Sequence, residues 1–217
     1  MLGHYHLTLL VTGQVPGHLL CEHGGYQEMF AKRFDHLANI SWEVVDLREE
    51  DAPVKADRRR GYVVTGSASG TYDDEPWILR AHDQIRYLVQ QDCALLGVCF
   101  GHQLLASALG GSSGPHDSGF CTGLLGAMDQ RHHLYFHQDQ VSQPPPGFMV
   151  SHGADHCPIA GIESADGRVI GVQFHPEFTP QFVQDLANHR GLTLSRQVGE
   201  PDRKAEDKLL RDWLRKI

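Results

Sequence analysis

The stretch of this sequence best suited to covalent chemistry is a cysteine framed by glycines, Gly97-Val98-Cys99-Phe100-Gly101-His102-Gln103. An apolar run, Ala94 to Val98, leads straight into it, and an amphipathic stretch, Gln103 to Leu109, follows at once. Strand, tight turn and helix in that order put a thiol at the apex of a nucleophile elbow. The flanking glycines have no Cβ, so the chain can reverse sharply and neighbouring backbone can come close. The helix that follows would aim free N–H groups and its positive dipole end at the sulfur, where negative charge is then favoured.

A cysteine nucleophile needs a base, and usually a group that orients the base. Val172-Gln173-Phe174-His175-Pro176-Glu177-Phe178 offers both. An apolar strand delivers His175 at its end, proline turns the chain, and Glu177 is close enough to hydrogen-bond the imidazole. Such a carboxylate fixes the tautomer and stabilises the imidazolium. Acyl transfer also needs oxyanion donors. One is expected from the backbone N–H of Phe100, just after the nucleophile. The other should come from Thr65-Gly66-Ser67-Ala68-Ser69-Gly70, whose small residues let backbone approach a substrate. Each motif alone has a bland reading: a cysteine after an apolar run is usually an inert core thiol, and His-Pro-Glu is a common surface turn. Found together, each at a strand end with a Gly/Ser loop upstream, they read as a site.

These pieces need a scaffold. Leu7–Val11, Trp42–Leu47, Tyr62–Val64 and Ala94–Cys99 read as strands. Tyr26–Leu37 and the segment opening at Pro76 read as helices between them. Strands alternating with helices imply parallel pairing with crossovers. Beyond Leu109 the pattern changes. Short strands are expected around Leu124, Tyr135–Phe136, Phe148–Val150, Ile159–Glu163 and Val169–Phe174, with a hairpin turn at Ser164-Ala165-Asp166-Gly167. Helices are expected over Phe178–His189 and Pro201–Ile217, the latter covering the sheet with Leu209, Leu210, Trp213 and Leu214. No internal repeat or domain boundary is visible, so one domain, 1–217, is expected.

With 217 residues the chain can bury a sizeable core. A formal net charge of −8 argues against nucleic acid as a partner. The apolar runs are far too short to span a membrane, and no signal peptide is visible, so the cytoplasm is the expected compartment. Five irregularly spaced cysteines argue against a disulfide framework or structural zinc. Cys93 and Cys157 read as structural, while Cys21 and Cys121 have no assigned role. His4/His6 and His132/His133/His137 match no strong ligand pattern, so no metal is expected.

The chain resembles the class I glutamine amidotransferase family. Its G-x-C-x-G-x-Q elbow is complete at Gly97, Cys99, Gly101 and Gln103, and its G-x-Q-F-H-P-E block runs from Gly171 to Glu177. Thr65-Gly66-Ser67 with Tyr72-Asp73-Asp74-Glu75-Pro76-Trp77 looks like free-standing members related to the amidotransferase domain of GMP synthetase. Phe136-His137-Gln138-Asp139-Gln140-Val141 resembles their H-x-D-x-V block. The resemblance implies an open, mostly parallel α/β sheet of the flavodoxin-like type, flanked by helices, with a small β-rich extension.

It further implies Cys99 as nucleophile, His175 as base and acid, and Glu177 as its orienter. Gln103 would help hold glutamine, Gly66 and Ser67 would lie in the oxyanion loop, and Asp139, beside His137, would meet the substrate's α-amino end. Many relatives have a G-G-P or G-P-G run where this chain has Gly66-Ser67-Ala68, which leaves the second oxyanion donor open. The implied reaction is glutamine hydrolysis through a γ-glutamyl thioester, with no cofactor. No G-x-x-x-x-G-K-[ST] phosphate loop is present and no length is spare for an acceptor-activating domain. A free-standing amidase serving a partner synthase is therefore the first expectation. A self-sufficient γ-glutamyl peptidase or hydrolase is the alternative. A catalytically silent protein on this fold is the third, and the intact Cys-His-Glu set speaks against it.

Overall fold

Three apolar runs of the sequence become central strands: β3 (Arg60–Val64), β4 (Ala94–Val98) and β11 (Val169–Val172), almost wholly buried. Strands covered on both faces need apolar residues at every position rather than alternate ones. Their outer neighbours are β1 (His4–Val11) and β2 (Asn39–Asp46) on one side, and β10 (Cys157–Ser164) and β9 (Phe148–Ala154) on the other. The seven strands run in the order β2-β1-β3-β4-β11-β10-β9. All pairs from β2 to β11 are parallel, and β10 is antiparallel to both its neighbours. The structure, a computed structural model, describes residues 3–49, 54–117 and 119–217.

The period of two along each strand divides the core. Leu9, Val63, Leu96 and Val98 face α2 (Tyr26–Phe34) and α6 (Arg203–Leu214). Leu10, Tyr62, Val64 and Leu95 face α3 (Pro76–Gln90) and α4 (Phe100–Ala108). Trp213 of α6 is fully buried, and its indole N–H donates to the Arg168 carbonyl at 3.2 Å. Trp213→Ala is expected to cost about 3–5 kcal/mol of stability, read as a lower melting temperature.

The β-rich extension forms two small antiparallel sheets. One pairs β5 (Ser112–Pro115) with β8 (Asp139–Gln143), the other β6 (Cys121–Gly126) with β7 (His132–His137). A third apolar cluster joins Leu134 and Phe136 of β7 to Phe182, Val183 and Ala187 of α5 (Pro180–Arg190).

Several boundaries differ from the sequence reading, for local reasons. Helix α5 starts at Pro180 rather than Phe178 because Thr179 caps it, accepting the Phe182 N–H at 3.1 Å. Likewise α6 starts at Arg203 rather than Pro201 because Asp202 accepts the Ala205 N–H. Helix α2 stops at Phe34, short of Leu37. The fourth strand ends at Val98, one residue before Cys99, and α4 begins at once at Phe100 rather than Gln103. Strand β11 ends at Val172, short of Phe174. Helix α1 (Gly17–His23) and strands β5 and β8 have no counterpart in the sequence reading, being short and weakly patterned.

Candidate active site

Cys99 occupies the single residue between strand β4 and helix α4, with φ 54° and ψ −105°. That conformation is costly for any residue with a side chain, and such strain collects at functional sites. The flanking glycines make the reversal feasible. A Cβ on Gly97 would lie 2.4 Å from the Gly101 carbonyl oxygen, and one on Gly101 would lie 2.4 Å from that of Val64. The Gly101 N–H instead donates to the Thr65 carbonyl at 3.2 Å, and the Cys99 N–H donates to the Val172 carbonyl at 2.9 Å. The turn is thus tied to both neighbouring strands. No described residue accepts a hydrogen bond from the Phe100 N–H. Its ring is buried and packs against Trp77.

Strand β11 pairs in parallel with β4, Val172 opposite Val98, so the chain leaving β11 emerges beside the cysteine. The His175 N–H donates to the Leu134 carbonyl at 2.8 Å. Its ring stacks face to face on Phe178, 3.8 Å between centroids, and its Nδ1 lies 2.8 Å from Glu177 Oε1. Among the described residues Nε2 has no hydrogen-bond partner. Ring and sulfur share one small space: a Cβ placed on Gly66 would sit 3.3 Å from His175 Cε1 and 3.7 Å from Cys99 Cβ. Burial pushes the imidazole toward its neutral form. The negative charges of Glu177 and Cys99, with the hydrogen bond that the ring donates to Glu177, outweigh that and raise its pKa to about 10.

The carboxylate-bearing turn is held from behind. Arg203, from α6, donates to the carbonyls of Pro176 and Phe178, each at 2.7 Å, and to Glu206 at 2.9 Å. Glu206, itself buried, also meets His133 Nδ1 at 3.0 Å. The loop that carries Gly66 is pinned as well. The Thr12 hydroxyl lies 2.9 Å from the Thr65 carbonyl and 3.3 Å from that of Gly66, and the Thr12 N–H donates to Thr65 Oγ1.

Two cavities meet at Cys99. One, about 280 Å³, is bordered by Gly66, His175, Tyr26, Phe182, Leu186 and Arg190. The other, about 270 Å³, is bordered by Tyr72, Asp73, Gln103, His137, Asp139 and again Arg190. Ser67 borders both. Burial raises the Asp139 pKa, against a hydrogen bond from Tyr72. Burial pushes His137 down to about 3, so its ring is neutral, with Nδ1 3.1 Å from the Asp139 carbonyl. The Gln103 amide nitrogen donates to the Asp139 carbonyl at 2.7 Å and to Gln173 Oε1 at 3.1 Å. Both its protons are spent inside the protein, so Gln103 braces the cavity wall.

The structure therefore brings Cys99, His175, Glu177, Gly66 and Ser67 together, with His137 and Asp139 across the second cavity. Sequence reasoning missed Thr12, Tyr26, Arg190, Arg203 and Glu206. Thr12 follows β1 at the carboxyl edge of the sheet, where such folds build sites, and that signal could have found it. Tyr26 was read only as an apolar helix position. Burial, then the charges of Glu177 and Cys99, keep its hydroxyl protonated.

The sequence model of the family "Glutamine amidotransferase class-I" matches residues 20–185, which include the elbow and the His175–Glu177 turn. The chain belongs to this family. The GMP synthase [glutamine-hydrolyzing] of Clostridium kluyveri is 30% identical over 188 residues, covering 77% of this chain and 36% of the relative. That of a Thermus thermophilus strain is 31% identical over 205 residues, covering 86% and 38%. The chain thus spans little more than a third of these relatives. A crystal structure of a glutamine amido transferase from Methylobacillus flagellatus shares the fold, with TM-score 0.70, 19% identity, and coverage of 100% of this chain and 94% of that one. Among the described residues no helix is long and apolar enough to cross a membrane.

Proposed function

We propose that this chain hydrolyses the side-chain amide of glutamine, with Cys99, His175 and Glu177 as its catalytic set. The observation that carries the proposal is a strained thiol beside an imidazole whose far nitrogen is held by a buried carboxylate. Cys99 gives its proton to His175, and the sulfur attacks the amide carbon. Negative charge then moves to the carbonyl oxygen. His175 returns the proton to the departing nitrogen, and the C–N bond breaks to leave a γ-glutamyl thioester and ammonia. Water, deprotonated by the same histidine, adds to the thioester, and the C–S bond breaks to release glutamate.

The Phe100 N–H, just past the nucleophile, serves as one oxyanion donor. The second is the Ser67 N–H. Thr12 and Thr65 hold the Gly66 carbonyl, and the trans peptide turns the Ser67 N–H the opposite way. Thr12→Val keeps the shape but loses that grip. It is expected to lower kcat about tenfold with little change in KM, since an oxyanion donor acts in the transition state. A change in KM alone would contradict the role.

Asp139 and Asp73 draw the α-amino group of the substrate into their cavity. In this reading residues 1–217 form one amidotransferase domain, working in the cytoplasm without a cofactor. The names of its relatives make an acceptor-activating synthase the expected consumer of the ammonia. The purified chain given glutamine should release glutamate and ammonia in equal amounts. Release of neither would contradict the proposal.

A further inference from the structure

Two apolar clusters of the core meet at Tyr26, the first residue of α2. The turn that carries it is fixed, since the Gly25 N–H donates to Glu28 Oε2 at 2.9 Å. A ring packed in this way usually does no more than fill space. This one ends in a hydroxyl that no described residue hydrogen-bonds. Tyr26 also borders the cavity it shares with Cys99, Gly66 and His175.

Gly66 shows how near that hydroxyl stands to the sulfur and the imidazole. The point where its Cβ would lie is 3.5 Å from the Tyr26 hydroxyl oxygen, 3.3 Å from His175 Cε1 and 3.7 Å from Cys99 Cβ. Three groups from distant parts of the chain thus surround one space, and glycine leaves it open. Cε1 is bonded to Nε2, the ring nitrogen without a partner among the described residues. An interior polar group with no protein partner calls for a water or a ligand. Burial, with the charges of Glu177 and Cys99, keeps the phenol protonated. It can therefore donate one hydrogen bond and accept another, without competing with His175 for a proton.

Glutamine hydrolysis asks two different things of this space. In the first half the amide nitrogen arrives already placed, because it is bonded to the glutamyl group. In the second half the nucleophile is a free water with nothing to place it. It must enter where the ammonia left, since the same imidazole serves both. A free nucleophile gains most from being held in line.

We propose that Tyr26 is a further catalytic residue, which holds the water that hydrolyses the γ-glutamyl thioester. The proposal rests on the catalytic reading of Cys99, His175 and Glu177 given above. The water gives one proton to His175 Nε2, hydrogen-bonds the Tyr26 oxygen with the other, and adds through its oxygen to the thioester carbon. The C–S bond breaks, the electron pair goes to sulfur, and the imidazolium returns its proton there. Glutamate leaves, and Tyr26 keeps its own proton throughout.

Rapid acid quench, with mass measurement on the peptide containing Cys99, gives two rates separately. One is the appearance of the γ-glutamyl group after glutamine is mixed in, the other its loss once glutamine is removed. Tyr26→Phe keeps the ring and removes only the oxygen, so its circular dichroism and melting temperature should match wild type. Hydrolysis of the thioester should slow about tenfold, while its formation changes less than about threefold. Hydroxylamine attacks a thioester without a base, so it should strip the group from Tyr26→Phe as fast as from wild type. A packing defect would slow formation, hydrolysis and hydroxylamine capture alike. Unchanged hydrolysis, or equal slowing of all three, would overturn the role of Tyr26 and leave that of Cys99 standing. A wild-type chain that never carries the group on Cys99 would overturn both.

Discussion

Cys99→Ala is expected to abolish glutamate release from glutamine and to leave the fold in place. The loss should reach about 10⁵-fold or more in kcat, the scale seen when a covalent nucleophile is removed. Stability should change little, because the hydrogen bond of the lost sulfur among the described residues is a long one, 3.9 Å, to the Phe136 carbonyl. A companion variant separates chemistry from strain. At φ 54° glycine is unstrained where alanine is not. Cys99→Gly should therefore be about 1 kcal/mol more stable than Cys99→Ala, although both are inactive. If Cys99→Ala turns over at the wild-type rate, the nucleophile is elsewhere.

The second large effect separates His175 from Glu177. His175→Ala removes the proposed base and acid together and should match the loss of Cys99, since members of such a set fail as a unit. Glu177→Gln leaves the imidazole in place and should cost on the order of 10- to 100-fold less. Glu177 also sets a pH limit. With Cys99 it raises the pKa of His175 to about 10 against the pull of burial, so the imidazolium persists into alkaline solution. Taking the negative charge away removes an attraction for the proton, and the pKa falls. The alkaline limb of kcat/KM should then move to lower pH in Glu177→Gln. A limb that stays put, or Glu177→Gln slower than His175→Ala, would give Glu177 a different role.

The residues that meet at the candidate site were legible in the sequence because the proposed chemistry constrains the chain locally. The cysteine must stand on a glycine-flanked reversal, and the histidine must reach its carboxylate within two residues. Gly97 and Gly101 show why: each lies where a Cβ would strike backbone. The parallel sheet was legible too, since strands buried on both faces read as unbroken apolar runs. Groups that act across the fold left no such sign. Arg203 and Glu206 look in sequence like the polar face of an amphipathic helix, yet together they grip the turn that carries Glu177. Thr12 and Thr65 are 53 positions apart and meet only because β1 and β3 are neighbours. Gln103 belongs to the motif that points to glutamine, but its amide protons are spent on Asp139 and Gln173. A motif marks where a residue sits, and only its contacts show what it holds.

The most direct test of a covalent route through Cys99 is a mass measurement on enzyme quenched in acid while turning over glutamine. The peptide containing Cys99 should carry the added mass of one γ-glutamyl group, and hydroxylamine should remove it as the hydroxamate. Turnover with that peptide unmodified, or with the group on another residue, would contradict the thioester.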